Sequence, residues 1–147
     1  MKTVAAIDIG SNSIHMAIAQ VTQLGHLTLL DSHKEVIRLG KAVLGDGTVN
    51  RANIDLVIGA LVTMKEISVA YGAHVRAVAT HAIRVAHNHE EFLDVIEKAT
   101  GIRVEVINGD EEARLTFLGV RCGMSLDNDP SLCVDVGGGS TEIIIAK

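Results

Sequence analysis

Two stretches near opposite ends of the chain repeat one another, and that echo constrains the fold more than any other feature. Ile7-Asp8-Ile9-Gly10-Ser11-Asn12-Ser13 is matched by Val134-Asp135-Val136-Gly137-Gly138-Gly139-Ser140. Each is an apolar strand that delivers an aspartate, makes a tight turn of small residues and returns as a second apolar strand. Gly and Asn accept left-handed backbone conformations, so successive N–H groups in such a turn can converge on one anion. Ser and Thr hydroxyls add donors. The aspartate beside the turn is acceptor-only and suits a hydrated Mg2+ bridging to a phosphate. One such turn alone reads as an ordinary hairpin; two matched copies read as a pair that grips a polyanion from both sides. Asp8 and Asp135 are therefore candidate Mg2+ carboxylates. Gly10, Ser11, Asn12 and Ser13, with Gly137, Gly138, Gly139, Ser140 and Thr141, are candidate phosphate-binding residues. An aspartate closing a buried strand also needs a partner, because burying a carboxylate unpaired is costly.

Such a grip would reconcile an anionic ligand with an acidic chain. There are 13 Lys and Arg against 18 Asp and Glu, a net charge of −5, and the only aromatic residues are Tyr71, Phe92 and Phe117. A nucleic-acid groove wants basic stripes and stacking rings, so nucleic acid is not an expected partner. With 147 residues, 48% apolar and 21% charged, the prior is one globular domain. Runs such as Ile143-Ile144-Ile145-Ala146 fall far short of a membrane span, so no membrane partner is expected. Asp8 arrives too early for a secretory apolar core, which points to the cytoplasm. Cys122 and Cys133 lack CxxC spacing and read as two buried thiols in a reducing compartment. His87 and His89 would face apart on a helix, and the seven histidines read as solvated or structural. No Walker-type loop occurs, which excludes a P-loop NTPase.

Between the echoes the pattern alternates. Thr3–Ile9, Ile14–Val21 and a segment within Leu27–Leu39 read as strands, and Gly40 to Gly47 as a loop. Ile54, Val57, Ile58, Leu61, Met64 and Ile67 recur at helical spacing, with Gly72 as the stop. Val75–Ala79 reads as a buried strand, and His81–His87 as a short helix. Asn88 and Glu91 form a capping-box pattern for a helix through Lys98, stopped by Gly101. Ile102–Ile107 is a strand, Asp110–Arg121 a helix closed by Gly123, and Leu132–Val136 and Glu142–Ala146 are final strands. The order βββ-αβα-βα-ββ predicts an α/β domain on a mixed sheet. The most natural boundary lies at Ser125–Ser131, which holds the single proline.

Four further segments accompany the paired turns: Val36-Ile37-Arg38-Leu39-Gly40, Ala79-Thr80-His81-Ala82-Ile83-Arg84, Asn108-Gly109-Asp110-Glu111-Glu112-Ala113-Arg114-Leu115, and Gly137-Gly138-Gly139-Ser140-Thr141-Glu142. Together they resemble the exopolyphosphatase and guanosine pentaphosphate phosphatase family (Ppx/GppA), within the actin/Hsp70/sugar-kinase superfamily. The resemblance implies a ribonuclease-H-like, actin-like ATPase domain. It implies Mg2+-dependent removal of the terminal phosphate from polyphosphate, or of the 5′ γ-phosphate from guanosine pentaphosphate (pppGpp).

The resemblance also implies residue roles. Glu112 is the general base that activates the attacking water, although acidic residues also favour a helix N-terminus for the dipole alone. Glu111 is left as a capping residue or as a support behind the site. Glu142 either orients the same water or serves the metal. Arg84 reaches the phosphate chain, with a salt bridge as the alternative, and Arg38 is a weaker candidate for similar work. Two departures stand out: Val85 where the family usually has Asp, which puts the role of Arg84 in doubt, and Asn108 where it usually has Ser. Family members are longer, so residues 1–124 are expected to form the first domain, and 125–147 a linker and the first hairpin of a second. A lone hairpin is marginally stable. It is expected to pack on the first domain or to pair with another chain by strand exchange, giving a homodimer. The other class of function is a domain that binds polyphosphate or a guanosine polyphosphate without turning it over.

Overall fold

The computed structural model describes residues 1–23, 25–124 and 130–146. The boundary expected at Ser125–Ser131 falls largely outside them. Strands β1 (Lys2–Ile9), β2 (Ser13–Val21) and β3 (Leu27–Val36) are followed by helices α1 (Leu39–Asp46) and α2 (Arg51–Ala70). Then come β4 (His74–Ala79), α3 (His81–Val85), α4 (His89–Thr100), β5 (Val104–Val106) and α5 (Gly109–Gly123), and finally β6 (Ser131–Val136) and β7 (Thr141–Ala146). Five strands form one mixed sheet in the order β3-β2-β1-β4-β5, while β6 and β7 form a separate two-stranded sheet. β1 pairs antiparallel with β2 and parallel with β4, and β4 runs parallel to β5.

Strand alternation places Ala5, Ile7 and Ile9 on one face, continued by Ile14, Met16 and Ile18 on β2 and by Ala77 and Ala79 on β4. Helices cover that face with Val57, Leu61 and Met64 of α2, and Phe92 and Ile96 of α4, all fully buried. Each such side chain contributes about 1.5–3 kcal/mol by leaving water. Helix α2 begins where the Asn50 side chain accepts from the Asn53 N–H at 2.9 Å, and ends at a left-handed Gly72.

Several local expectations need correction. Residues 40–46 are helix α1, not loop, because Leu39 and Val43 are one turn apart and both buried. Asn88 stands at the start of α4 but does not cap it with its side chain. That amide is used across the chain instead, accepting from the Val49 N–H at 2.9 Å and donating to the Val49 carbonyl at 3.0 Å. Gly123 is the last residue of α5, not a left-handed stop. The thiols are free but not buried: Cys122 is exposed and Cys133 half-buried. Among the described residues no helix is long and apolar enough to cross a membrane.

The parallel strands end on the same side, as ligand-binding α/β sheets require. Beyond their ends the chain stays tied: the Thr80 N–H donates to Ile9 O at 3.2 Å and the Ile107 N–H to Ala79 O at 3.1 Å. The turn after β1, the turn after β4 and the N-terminus of α5 therefore emerge side by side. The β6–β7 hairpin packs its inward residues against α5, and its tip comes to the same place.

Candidate active site

The turn after β1 is closed by the Gly10 N–H donating to Ser13 O at 3.1 Å. It is strapped from outside: Asn12 O accepts from the N–H groups of Ile37 and Arg38 at 3.1 and 2.8 Å, and Ser11 O from that of Gly40 at 2.7 Å. The carbonyls of Ser11 and Asn12 are thereby occupied by the segment leading into α1. Ser11 is buried. The second turn repeats the closure, the Gly137 N–H donating to Ser140 O at 3.0 Å.

The left-handed backbone expected of these turns is absent. Among the described residues, positive φ occurs at Gly25, Arg38, Gly47, Gly72 and Gly101, and at neither turn. The glycines are required by close approach instead. A Cβ on Gly138 would stand 3.2 Å from Asn12 Cβ, and one on Gly139 would stand 2.7 Å from both Ser11 Oγ and His81 Nδ1. The two turns touch each other, and only bare backbone fits between them.

A cleft of about 200 Å3 opens beside this contact. It is lined by Asp8, Gly10, Ser11, Asn12, Ser13, Glu112, Asp135, Gly137, Gly138, Gly139, Ser140 and Glu142. Three of the candidates lie elsewhere. Arg84 stands behind Glu112, its Nη1 donating to Ile107 O at 2.7 Å and to Glu112 Oε2 at 3.2 Å. Arg38 lines a neighbouring cleft, and Thr141 opens β7 outside this one. His15 and Thr80 also line the site and carried no local signal. His15 could have been found by extending the echo, because it stands opposite Asp8 as Glu142 stands opposite Asp135.

The adjacent glutamates at the start of α5 separate cleanly. Asn108 caps the helix by accepting from the Glu111 N–H at 2.8 Å, so the departure to Asn keeps a capping oxygen. Glu111 faces solvent and forks onto Arg114 at 2.7 Å, which lowers its pKa. Glu112 faces the cleft, held by Arg84 through Oε2, while no described residue bonds its Oε1. Asp135 finds its partner on the same helix, accepting from Thr116 Oγ1 at 2.9 Å.

Asp8 keeps an opening to solvent through the cleft, yet the surrounding protein is dense enough to disfavour its charge. Desolvation first, then the nearby Glu112 and Asp135 carboxylates, raise its pKa from 3.8 to about 6. Such an excess of negative charge suits a divalent cation. No group of three or more Asp, Glu, His or Cys among the described residues is close enough to enclose an ion. Mg2+ keeps several waters and takes one or two carboxylates plus phosphate oxygens, so it does not need such a group. Asp8 and Asp135 would hold it.

A mixed α/β sheet whose parallel strands deliver an acid-lined, two-turn cleft defines a domain of the actin-like ATPase fold. The chain belongs to the Ppx/GppA phosphatase family, whose model matches residues 17–147. Exopolyphosphatase 1 of Mycobacterium tuberculosis is 34% identical over 138 residues, 93% of this chain and 40% of that protein. A Ppx/GppA family member from Aquifex aeolicus superposes with a TM-score of 0.88 at 36% identity, covering 99% of this chain and 47% of its own. An exopolyphosphatase from Cytophaga hutchinsonii gives a TM-score of 0.90 at 32% identity, covering 98% of this chain and 46% of its own. The chain spans less than half the length of these relatives.

Proposed function

We propose that the protein hydrolyses the terminal phosphoanhydride of inorganic polyphosphate, and of pppGpp where the nucleotide end is accommodated, with Mg2+ as cofactor. One observation carries this reading: both acid-and-glycine turns and Glu112 line a single cleft. The turns hold the terminal phosphate, with Ser11, Ser13 and Ser140 as hydroxyl donors. Glu112, its Oε2 fixed by Arg84, presents Oε1 to a water in line with the scissile bond. Water oxygen bonds to phosphorus as the bridging P–O bond breaks. The proton passes to Glu112, and the shortened chain leaves with the bridging oxygen. Bound Mg2+ would neutralise charge on the phosphate oxygens. Glu142, opposite Asp135 in the hairpin, lines the same cleft, from which it would orient that water or serve the metal.

Arg84 acts here as a positioning residue for Glu112. Its bond to the Ile107 carbonyl fixes it just past the end of β5, so the Glu112 side chain is tied to the sheet as well as to its own helix α5. The experiment is phosphate release from polyphosphate and Mg2+, comparing the native protein with Glu112→Gln. Loss of roughly 10²–10⁴-fold, with folding unchanged, is expected for removal of a general base. Release that persists in Glu112→Gln contradicts the base assignment; binding without release by both proteins makes the domain a binder.

A further inference from the structure

At the end of the sheet away from the catalytic cleft, β5 begins only opposite Ala77, so residues 74–76 of β4 have no strand beyond them on that side. A slot of about 740 Å3 opens there, lined by residues 75–78 and 101–105 together with Lys65. Ala77 and Val104 are paired and both buried on the core face. Alternation therefore sends the residues just before them, Arg76 and Arg103, side by side to the opposite face, where both are exposed. Lys65 reaches the slot from α2, its Nζ donating to Thr100 O at 2.6 Å. Glu105 is the one acidic residue of the lining, and among the described residues it forms no ion pair with any of the three cations. Like charges set opposite each other on neighbouring strands destabilise a sheet. Neither arginine has a salt bridge or a side-chain hydrogen bond among the described residues, so nothing described in the chain offsets that repulsion. A bound anion would offset it, and guanidinium forks take phosphate oxygens two at a time. Three cations against one carboxylate call for a ligand with more than one negative charge.

We propose that this slot is a second anion-binding site, separate from the catalytic cleft, and that its ligand is a chain of two or more condensed phosphates. Arg76 and Arg103 would fork onto the phosphate oxygens, and Lys65 adds a third positive charge. The chemistry recognised is the same whether the chain is inorganic or ends in a nucleoside. The slot and the cleft share no lining residue. Four residues of extended chain, roughly 13 Å, separate Arg76 from Thr80 at the cleft, so both sites can be filled at once.

The test is calorimetric titration of the native protein in EDTA, where the acid-lined cleft lacks the cation it needs to take a phosphate. Tripolyphosphate and guanosine 5′-triphosphate are the probes, with orthophosphate and hexaglutamate for comparison. Both probes should bind tighter than orthophosphate, and the tighter of the two tells whether the inorganic chain or the nucleotide is preferred. Arg103→Gln should weaken both by about tenfold, the loss expected for one charge-assisted contact. The same substitution should raise the Tm of the ligand-free protein by relieving the repulsion, a combination that misfolding cannot produce. Asp135→Asn, in the catalytic cleft, should leave this binding unchanged. No binding in EDTA, no loss on Arg103→Gln, an equal loss on Asp135→Asn, or tighter binding of hexaglutamate than of either probe would overturn the site. A protein that binds in EDTA yet releases no phosphate with Mg2+ would instead overturn the proposed function and leave this site standing.

Discussion

In the first turn the Gly10 N–H reaches Ser13 O at 3.1 Å; in the second the Gly137 N–H reaches Ser140 O at 3.0 Å, and a Cβ on either glycine would stand 3.2 Å from that oxygen. The registers agree too, Asp8 facing His15 and Asp135 facing Glu142. The supports are unlike. The first turn caps a five-stranded sheet whose inner face is buried under helices, and three backbone bonds strap it to residues 37–40 at the start of α1. The second rides on two strands whose outer side chains, Leu132, Val134, Val136, Ile143 and Ile145, are 51–78% exposed. Matched local sequence therefore sets a matched turn closure, while stiffness comes from what lies underneath. One jaw of the grip is fixed and the other is carried by a hairpin resting on α5.

That contrast breaks most directly under matched substitutions. Gly10→Ala and Gly137→Ala introduce the same local clash. The first cannot be relieved without moving the core sheet and should cost about 1–3 kcal/mol of stability. The second is relieved by a shift of the hairpin and should cost well under half as much. Both should impair phosphate release equally, because both turns must close on one group. Paired denaturant melts and rate measurements check this, and equal stability losses would show that the hairpin is as firmly supported as the sheet.

A smaller effect concerns the charge that the fixed jaw carries. Asp8 holds its proton up to about pH 6 in the folded chain, against 3.8 ordinarily. Between those values the folded state binds more protons than the unfolded one, so the metal-free chain should lose stability as pH rises from about 4 to 6. Asp8→Asn should remove that slope and raise Tm by a few degrees at pH 7, while abolishing phosphate release. A Tm series across pH checks it; an unchanged slope would mean that Asp8 is not the group responsible.

Much of this was legible in the chain itself. The echo gave both turns and the acids beside them, but not the register that puts His15 opposite Asp8. Helical periodicity gave α2, and the helix read at Asp110–Arg121 falls within α5. What could not be read depended on contacts distant in sequence. Helix α1 hides behind Gly40, Gly45 and Gly47, which suggest a loop until the burial of Leu39 and Val43 is seen. Asn88 looked like a cap because nothing local reveals Val49 as its partner. The glycines of the second turn suggested unusual dihedrals, whereas their reason is the opposing turn. Arg84 carried a plausible phosphate role, and its position behind Glu112 follows only from the path of β5 into α5.

The smallest expected effect lies on the outer side of the hairpin. Ile145 is 78% exposed, so Ile145→Thr should change stability by less than about 0.5 kcal/mol, which a denaturant melt would resolve.

The most direct measurement of the two-jawed grip is a crystal structure of Glu112→Gln with tripolyphosphate and Mg2+. The expected result is one terminal phosphate contacted by residues of the 10–13 turn and of the 137–140 turn together. A phosphate held by one turn alone, with the other turned aside, would contradict the account.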